Sequence, residues 1–157
     1  MKAKRLLIIS DILGDYPKML IHELTEKYIE YKVYNACELA EVKSDLQKEE
    51  RHRLFVNGGL EKAVQNLNNW ELEQVDVIAF SIGGTIAWRA ALKGLKINKL
   101  TAFSSTRLRY ETKKPTAEIE LLYGVNDDFK PNADWFDSMN TKPRFVKDVG
   151  HEFYLEL

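Results

Sequence analysis

Six unbroken apolar runs recur along this chain, separated by amphipathic or charged segments: Arg5 to Ser10, Tyr31 to Ala36, Val75 to Phe80, Lys99 to Ser104, Ile119 to Tyr123 and Pro143 to Lys147. A strand with one wet face alternates apolar and polar residues, whereas an unbroken run has to be covered on both faces. Runs of this kind alternating with helix-length segments specify an α/β fold, here an approximately six-stranded, mostly parallel sheet with helices on both faces. Between the runs, Tyr16 to Tyr28 sets Met19, Leu20, Leu24 and Tyr28 on roughly one helical face, with Pro17 in the first turn. The charged stretch Val42 to Phe55 reads as a solvated helix. Gly59 to Trp70 repeats Leu60, Val64 and Leu67 as a packing stripe, and Thr85 to Leu95 and Asp134 to Met139 supply the last two helices.

The third run passes straight into Ala79-Phe80-Ser81-Ile82-Gly83-Gly84 and then into the helix-like Thr85 to Leu92. A serine between a buried strand and a helix, with small residues two before and two after, has the form of a nucleophile elbow, G-x-S-x-G with Ala in the first slot. Small residues belong there because the sharp turn that lifts the hydroxyl to the top of a sheet crowds the backbones beside it. A Ser-Ile-Gly-Gly turn also serves as plain strand-to-helix punctuation, so the partners of Ser81 decide its meaning.

Serine is a weak nucleophile at its own pKa and needs a base, which in turn needs a third group to orient it. Three histidines are available. His22 falls in the first expected helix and His52 in the charged run Lys48 to Arg53, where a surface or helix-face role is expected. His151 follows the last strand through Gly150, at the carboxyl edge where open α/β sheets place their ligands. The acid is expected in the loop after the fifth strand, Gly124-Val125-Asn126-Asp127-Asp128-Phe129-Lys130-Pro131. Spacing favours Asp127, Asp128 competes for the same position, and Asp148 is weaker because it lies beside the histidine's own strand.

From about Leu6 to His151 the chain resembles the α/β-hydrolase superfamily, in particular its small lidless esterase-like members, and the order Ser, Asp, His is that of the superfamily. The resemblance implies a minimal α/β-hydrolase fold without a cap domain, with Ser81 as nucleophile, Asp127 as acid through Gly124-x-x-Asp127-x-x-x-Pro131, and His151 as base. One oxyanion donor is then the backbone N–H of Ile82. The other comes from the loop after the first strand, at Ile12 or Leu13 in Asp11-Ile12-Leu13-Gly14. Where the superfamily often has His-Gly, this chain has Ser10-Asp11. The superfamily's two leading antiparallel strands have no counterpart, and only 14 residues join Ser104 to Ile119, where many relatives insert a helical cap, so an open pocket is expected.

At 157 residues the chain is read as one domain, residues 1–157. Lys and Arg number 23 against 24 Asp and Glu, without a long run of one sign, which argues against a nucleic-acid partner. The apolar stretch Leu6 to Ile9 is too short for a signal peptide or a membrane span. A single cysteine, Cys37, excludes a disulfide framework and a cysteine-rich zinc site; it is read as buried and unreactive, and the chain as cytoplasmic. No metal site and no cofactor are expected. Gly83-Gly84-Thr85 lacks both the Gly-Lys-Ser/Thr end of a P-loop and a full G-x-G-x-x-G.

Arg107 and Arg109 follow the fourth strand at the active edge, where a guanidinium could clamp a substrate carboxylate or phosphate; solvation, or pairing with Glu111, is the competing role. The leading expectation is a serine hydrolase that cleaves a small carboxylic ester or thioester through an acyl-enzyme. Its rivals are a noncatalytic binding module on the same fold and an acyltransferase with the same triad.

Overall fold

The computed structural model describes residues 3–157. Its sheet has six strands: β1 (Ala3–Ile9), β2 (Tyr28–Tyr34), β3 (Val75–Phe80), β4 (Ile97–Phe103), β5 (Glu118–Gly124) and β6 (Arg144–Val146). Their spatial order is β2-β1-β3-β4-β5-β6 and every pairing is parallel. The helices are α1 (Lys18–Thr25), α2 (Ala36–Ala40), α3 (Lys48–Leu54), α4 (Leu60–Trp70), α5 (Ile82–Leu92) and α6 (Ala133–Ser138), with short 3₁₀ turns at Thr106–Tyr110 and Phe153–Glu156. Among the described residues no helix is long and apolar enough to cross a membrane.

The two faces of the sheet are covered unequally. Leu7 and Ile9 of β1, with Val77, Ala79, Leu100, Ala102, Leu121 and Tyr123 of its neighbours, pack against α2, α4, α5 and α6. Leu6 and Ile8, with Ile78, Phe80 and Phe103, meet Ile21 of α1 and the C-terminal Phe153 and Tyr154. Leu6, Leu7, Ile8 and Ile9 have no exposed surface, which is why β1 reads as an unbroken apolar run. The edge strand β2 differs. Only Tyr34 is buried, while Ile29 and Tyr31 face solvent, and the strand begins three residues before the expected Tyr31 to Ala36.

Several expected boundaries move. The first helix covers Lys18–Thr25, so Tyr28 belongs to β2, where its hydroxyl donates to Asp76 Oδ2 at 2.7 Å. Of the expected packing face, Leu20 and Leu24 do pack, partly buried, but Met19 is 76% exposed, and the most deeply buried residue of the helix is Ile21. Val42 to Phe55 is not one helix. A short α2, capped by the Asn35 side chain on the Cys37 and Glu38 N–H groups, comes before it, and helix resumes only at Lys48. The helix after the elbow starts at Ile82 and ends at Leu92, three residues earlier than Thr85 to Leu95 at each end. Gly94 stops it with a positive φ of 117°. The α3–α4 junction is kinked at Asn57 and Gly58, where Gly58 has φ 113°.

Strand order reverses between β1 and β3, so their following loops leave toward opposite faces and open a crevice at the carboxyl edge of the sheet. The paired strand ends Ile9–Ala79, Phe80–Phe103, Phe103–Leu122 and Gly124–Val146 bring the loops carrying Asp11, Ser81, Ser104, Asp127 and His151 to that one edge.

Candidate active site

Ser81 is the hinge between β3 and α5. Its φ of 53° and ψ of −121° lie in a region that non-glycine residues rarely occupy, a strain that persists only when surrounding contacts fix it. Its N–H donates to the Phe103 carbonyl at 2.7 Å, and its carbonyl accepts from the Gly84 N–H at 3.0 Å and from Ser105 Oγ at 2.8 Å. Gly83 has no alternative: a Cβ there would stand 2.6 Å from the Ser10 carbonyl oxygen and 2.7 Å from that of Ile9. The crowding comes from β1 as α5 passes its end, which is the physical content of the small residue in the motif.

His151 Nε2 lies 3.0 Å from Ser81 Oγ, and His151 Nδ1 lies 2.7 Å from Asp127 Oδ2. With the carboxylate on Nδ1, that nitrogen carries the proton and Nε2 is left to accept from the serine. Asp127 is 3% exposed and its other oxygen accepts the Phe129 N–H at 3.1 Å, while Asp128 is exposed and makes no side-chain hydrogen bond. Asp148 is also exposed, in a turn with φ 62°. Asp127 is therefore the acid that meets the histidine.

Gly124 lets these two loops meet. A Cβ at Gly124 would be 2.5 Å from the carbonyl oxygens of Val149 and Gly150, so only glycine lets the His151 segment run against the end of β5. Asn126 N–H then donates to Val149 O at 2.9 Å, and Ser104 Oγ donates to His151 O at 2.6 Å. Gly150, by contrast, has open space around its Cα and no positive φ, and nothing in the structure explains a glycine there.

The loop after β1 is folded around Asp11. This carboxylate is 4% exposed; Oδ1 accepts the N–H groups of Leu13 at 2.9 Å and Asp15 at 2.8 Å, and Oδ2 accepts the Tyr154 hydroxyl at 2.8 Å. Burial raises the Asp11 carboxyl above its ordinary value, against the pull of these three bonds, and burial together with the Asp11 charge raises the Tyr154 phenol. Of the two donors expected from this loop, Leu13 is thus already engaged by Asp11. The N–H groups of Ile12 and Ile82 have no acceptor among the described residues, and both residues line the same cavity as Ser81. Ile12's own carbonyl is held by Cys37 Sγ at 3.1 Å and Arg51 Nη1 at 3.2 Å. Cys37, expected at the end of the second strand, lies in α2; it is buried, and burial raises its thiol.

These groups surround a cavity of about 580 Å³ that includes Asp11, Ile12, Leu13, Ser81, Ile82 and His151, with Phe129, Thr106 and Arg107 beside them. Its remaining wall is α3, through Lys48 and His52. Arg107 thus borders the cavity; Arg109 does not. Glu111 is taken by Arg89 at 2.9 Å and pairs with neither of them. His52 and Lys48 were expected on a solvated surface, and the only signal for them was a mixed-charge helix. Tyr154, three residues after His151, carried no motif at all. Among the described residues no group of three or more His, Cys, Asp or Glu side chains could hold a metal ion.

No family model and no curated protein matches the chain in sequence. Solved structures do match in shape. A predicted CIB-like hydrolase from Thermoplasma acidophilum superposes with a TM-score of 0.67 at 16% identity, over 98% of this chain and 79% of the other. MGS-MChE2, an alpha/beta hydrolase enzyme from the metagenome of lagoon sediments at Mar Chica, Morocco, gives 0.66 at 14% identity over 99% and 85%. Est1E from Butyrivibrio proteoclasticus gives 0.59 at 13% over 99% and 83%. With the all-parallel strand order and these neighbours, the chain has the α/β-hydrolase fold.

Proposed function

We propose that this protein is a serine hydrolase that cleaves a small carboxylic ester or thioester. The observation that carries the proposal is the unbroken hydrogen-bonded chain from Ser81 Oγ through His151 to the buried Asp127, mounted on a strained serine at the mouth of a cavity. In the first half-reaction Ser81 Oγ attacks the carbonyl carbon as His151 Nε2 takes its proton, and Asp127 holds the imidazolium that forms. The carbonyl oxygen becomes an oxyanion facing the N–H groups of Ile82 and Ile12, each such donor typically supporting about 10²- to 10³-fold in rate. Collapse of this adduct breaks the bond to the leaving group, which departs as alcohol or thiol with the proton from His151. A water then gives a proton to His151 as it attacks the acyl-enzyme, and the second collapse returns that proton to Ser81 Oγ and releases the acid. No step calls for a cofactor.

The test is covalent labelling by a fluorophosphonate probe followed by mapping of the modified residue. Wild type is expected to label at Ser81, and Ser81→Ala to remain folded with no labelling and no esterase activity above background. Full turnover by the Ala variant on an ester that wild type cleaves overturns the assignment. Product analysis in water with and without an added alcohol separates hydrolysis from acyl transfer.

A further inference from the structure

The cavity holding Ser81 and His151 has two cations on its wall, Arg107 from the turn after β4 and Lys48 from α3, beside the imidazole of His52. Arg107 has no hydrogen bond or ion pair with any described residue; its guanidinium lies 5.0 Å from the centre of the Tyr110 ring. Arg109 is differently placed. Its N–H groups are spent on the Thr106 carbonyl and the Tyr110 hydroxyl, both at 2.9 Å, with a longer 3.5 Å contact to the Phe129 carbonyl, and it is not among the residues lining the cavity. Glu111, the nearest carboxylate in sequence, is held by Arg89. Lys48 has only a 3.8 Å contact with Glu152, and both side chains are more than half exposed, so solvent screens that pair and leaves the ammonium available.

Two carboxylates, Asp11 and Glu152, also border this cavity. Asp11 directs both oxygens to the Leu13 and Asp15 N–H groups and the Tyr154 hydroxyl, and the exposed Glu152 contacts Lys48, so neither carboxylate pairs with Arg107. His52 reports the local potential: partial burial first, then the charges of Arg107, Arg109 and Lys48, hold its imidazole below the ordinary value. A guanidinium with free donors over a floor of Ile12, Leu13, Ile82 and Phe129 matches a planar or tetrahedral oxyanion on an otherwise small apolar substrate. The cavity volume suits a ligand of that size.

We infer that the substrate is an ester or thioester carrying a carboxylate or phosphate group, which Arg107 binds with help from Lys48 while Ser81 attacks the carbonyl. This deepens the hydrolase proposal and rests on it. The structure does not bias the anion toward the acyl or the alcohol side, so two substrate pairs distinguish the sources. One is the 4-nitrophenyl monoester of glutarate against the same compound with its free carboxylate methylated. The other is 2-acetoxyethyl phosphate against 2-hydroxyethyl acetate.

In at least one pair, wild-type kcat/KM is expected to favour the anionic member about tenfold or more at low salt, a preference that shrinks as salt rises. Arg107→Gln should bring that ratio close to one, Arg107→Lys should retain part of it, and Lys48→Gln should lower it less. Circular dichroism establishes that each variant is folded. A ratio of one or below in both wild-type pairs, or a ratio that survives Arg107→Gln, overturns the inference. A second readout does not depend on turnover: in Ser81→Ala, glutarate should shift the His52 ring resonances, and in Ser81→Ala with Arg107→Gln it should not. Shifts that are absent, or that persist without Arg107, also overturn it. If glutarate binds through Arg107 but no ester is cleaved, the anion site stands and the hydrolase proposal is what fails.

Discussion

The two walls of the cavity are built in opposite ways. On the sheet side, Ser81 and the loop around Asp11 sit at the ends of β3 and β1, which are buried on both faces, and Asp127 follows the buried end of β5. They are held by backbone contacts so close that Gly83 and Gly124 cannot carry a side chain without collision. On the helical side, α3 has no buried residue at all; it is held by Leu54, partly buried against the core, and by the Arg51 guanidinium, which donates to the carbonyls of Ser44, Leu46 and Ile12. Arg107 rests only on the face of Tyr110. Rigid placement is what transition-state chemistry needs, because a displacement of about 1 Å can remove 10²-fold in rate. Recognition of a charged group tolerates a looser mount, since a charge is felt over several ångströms. A change on the sheet wall should therefore act on kcat, and a change on the helical wall on KM and selectivity.

The sharpest way to break this division is at its most buried polar group. Asp127→Asn keeps the shape but leaves His151 free to adopt the wrong tautomer, and kcat should fall by about 10⁴-fold, while Asp128→Asn changes it little. Steady-state kinetics on purified, folded variants decides. The reverse pattern would move the acid to Asp128 and put the catalytic carboxylate on an exposed loop, against the comparison.

The sheet wall was also the more legible from sequence. Steric necessity leaves a local mark: Gly83 follows Ser81 by two residues because β1 crowds the turn, and Gly124 sits three residues before Asp127 because the His151 segment needs its space. Apolar runs mark all six strands, and five of the six lie within two residues of expectation at both ends, the edge strand β2 being the exception. The helical wall left no such mark. Lys48 and His52 look like any solvated helix, and only the path of the chain after α2 carries them over the crevice. Met19 was misplaced because helical periodicity fixes a packing stripe better than its edges: Leu20 and Leu24 pack as expected, and the stripe extends to Ile21 rather than to Met19. Tyr154 was missed because its partner, Asp11, is 143 residues away.

Asp11 and Tyr154 test the comparison one step further from the chemistry. They touch no reacting atom in the proposed mechanism; Asp11 fixes the loop that carries the Ile12 N–H, and Tyr154 fixes Asp11. Tyr154→Phe and Asp11→Asn loosen an oxyanion donor without removing it, so kcat should drop about tenfold with KM little altered, less than full loss of a donor. A rise in KM with kcat retained would make these residues part of ground-state binding. There is a pH signature as well. Because burial raises the folded-state carboxyl of Asp11, the folded protein holds that proton more tightly than the unfolded chain. The resulting stabilisation is present below the ordinary aspartate value and is lost as pH rises through the raised one. Denaturation of Asp11→Asn, which has no proton to lose there, should gain on wild type across that window, and a constant difference in stability would place the raised carboxyl elsewhere.

The smallest expected effect asks whether the loose wall stays where it is. Near Ser81 the cavity offers Ile12, Leu13, Ile82 and Phe129 to an acyl chain, but beyond them the chain meets Lys48, His52 and Arg107 or open water. Each methylene buried on the apolar floor should add about 0.8 kcal/mol, roughly fourfold in kcat/KM, and each one past it should add almost nothing. For neutral aryl esters the rise should stop at about four acyl carbons, with no activation at lipid interfaces. A steady increase through longer chains, measured below their aggregation limit, requires apolar cover that the present wall lacks. The segment able to supply it is α3 with the residues just before it, whose helix has no buried residue, provided that Leu46 and Leu54 leave their present places against the core and turn toward the substrate. In that event the helical wall is a lid, and its weak anchoring is the means by which it moves.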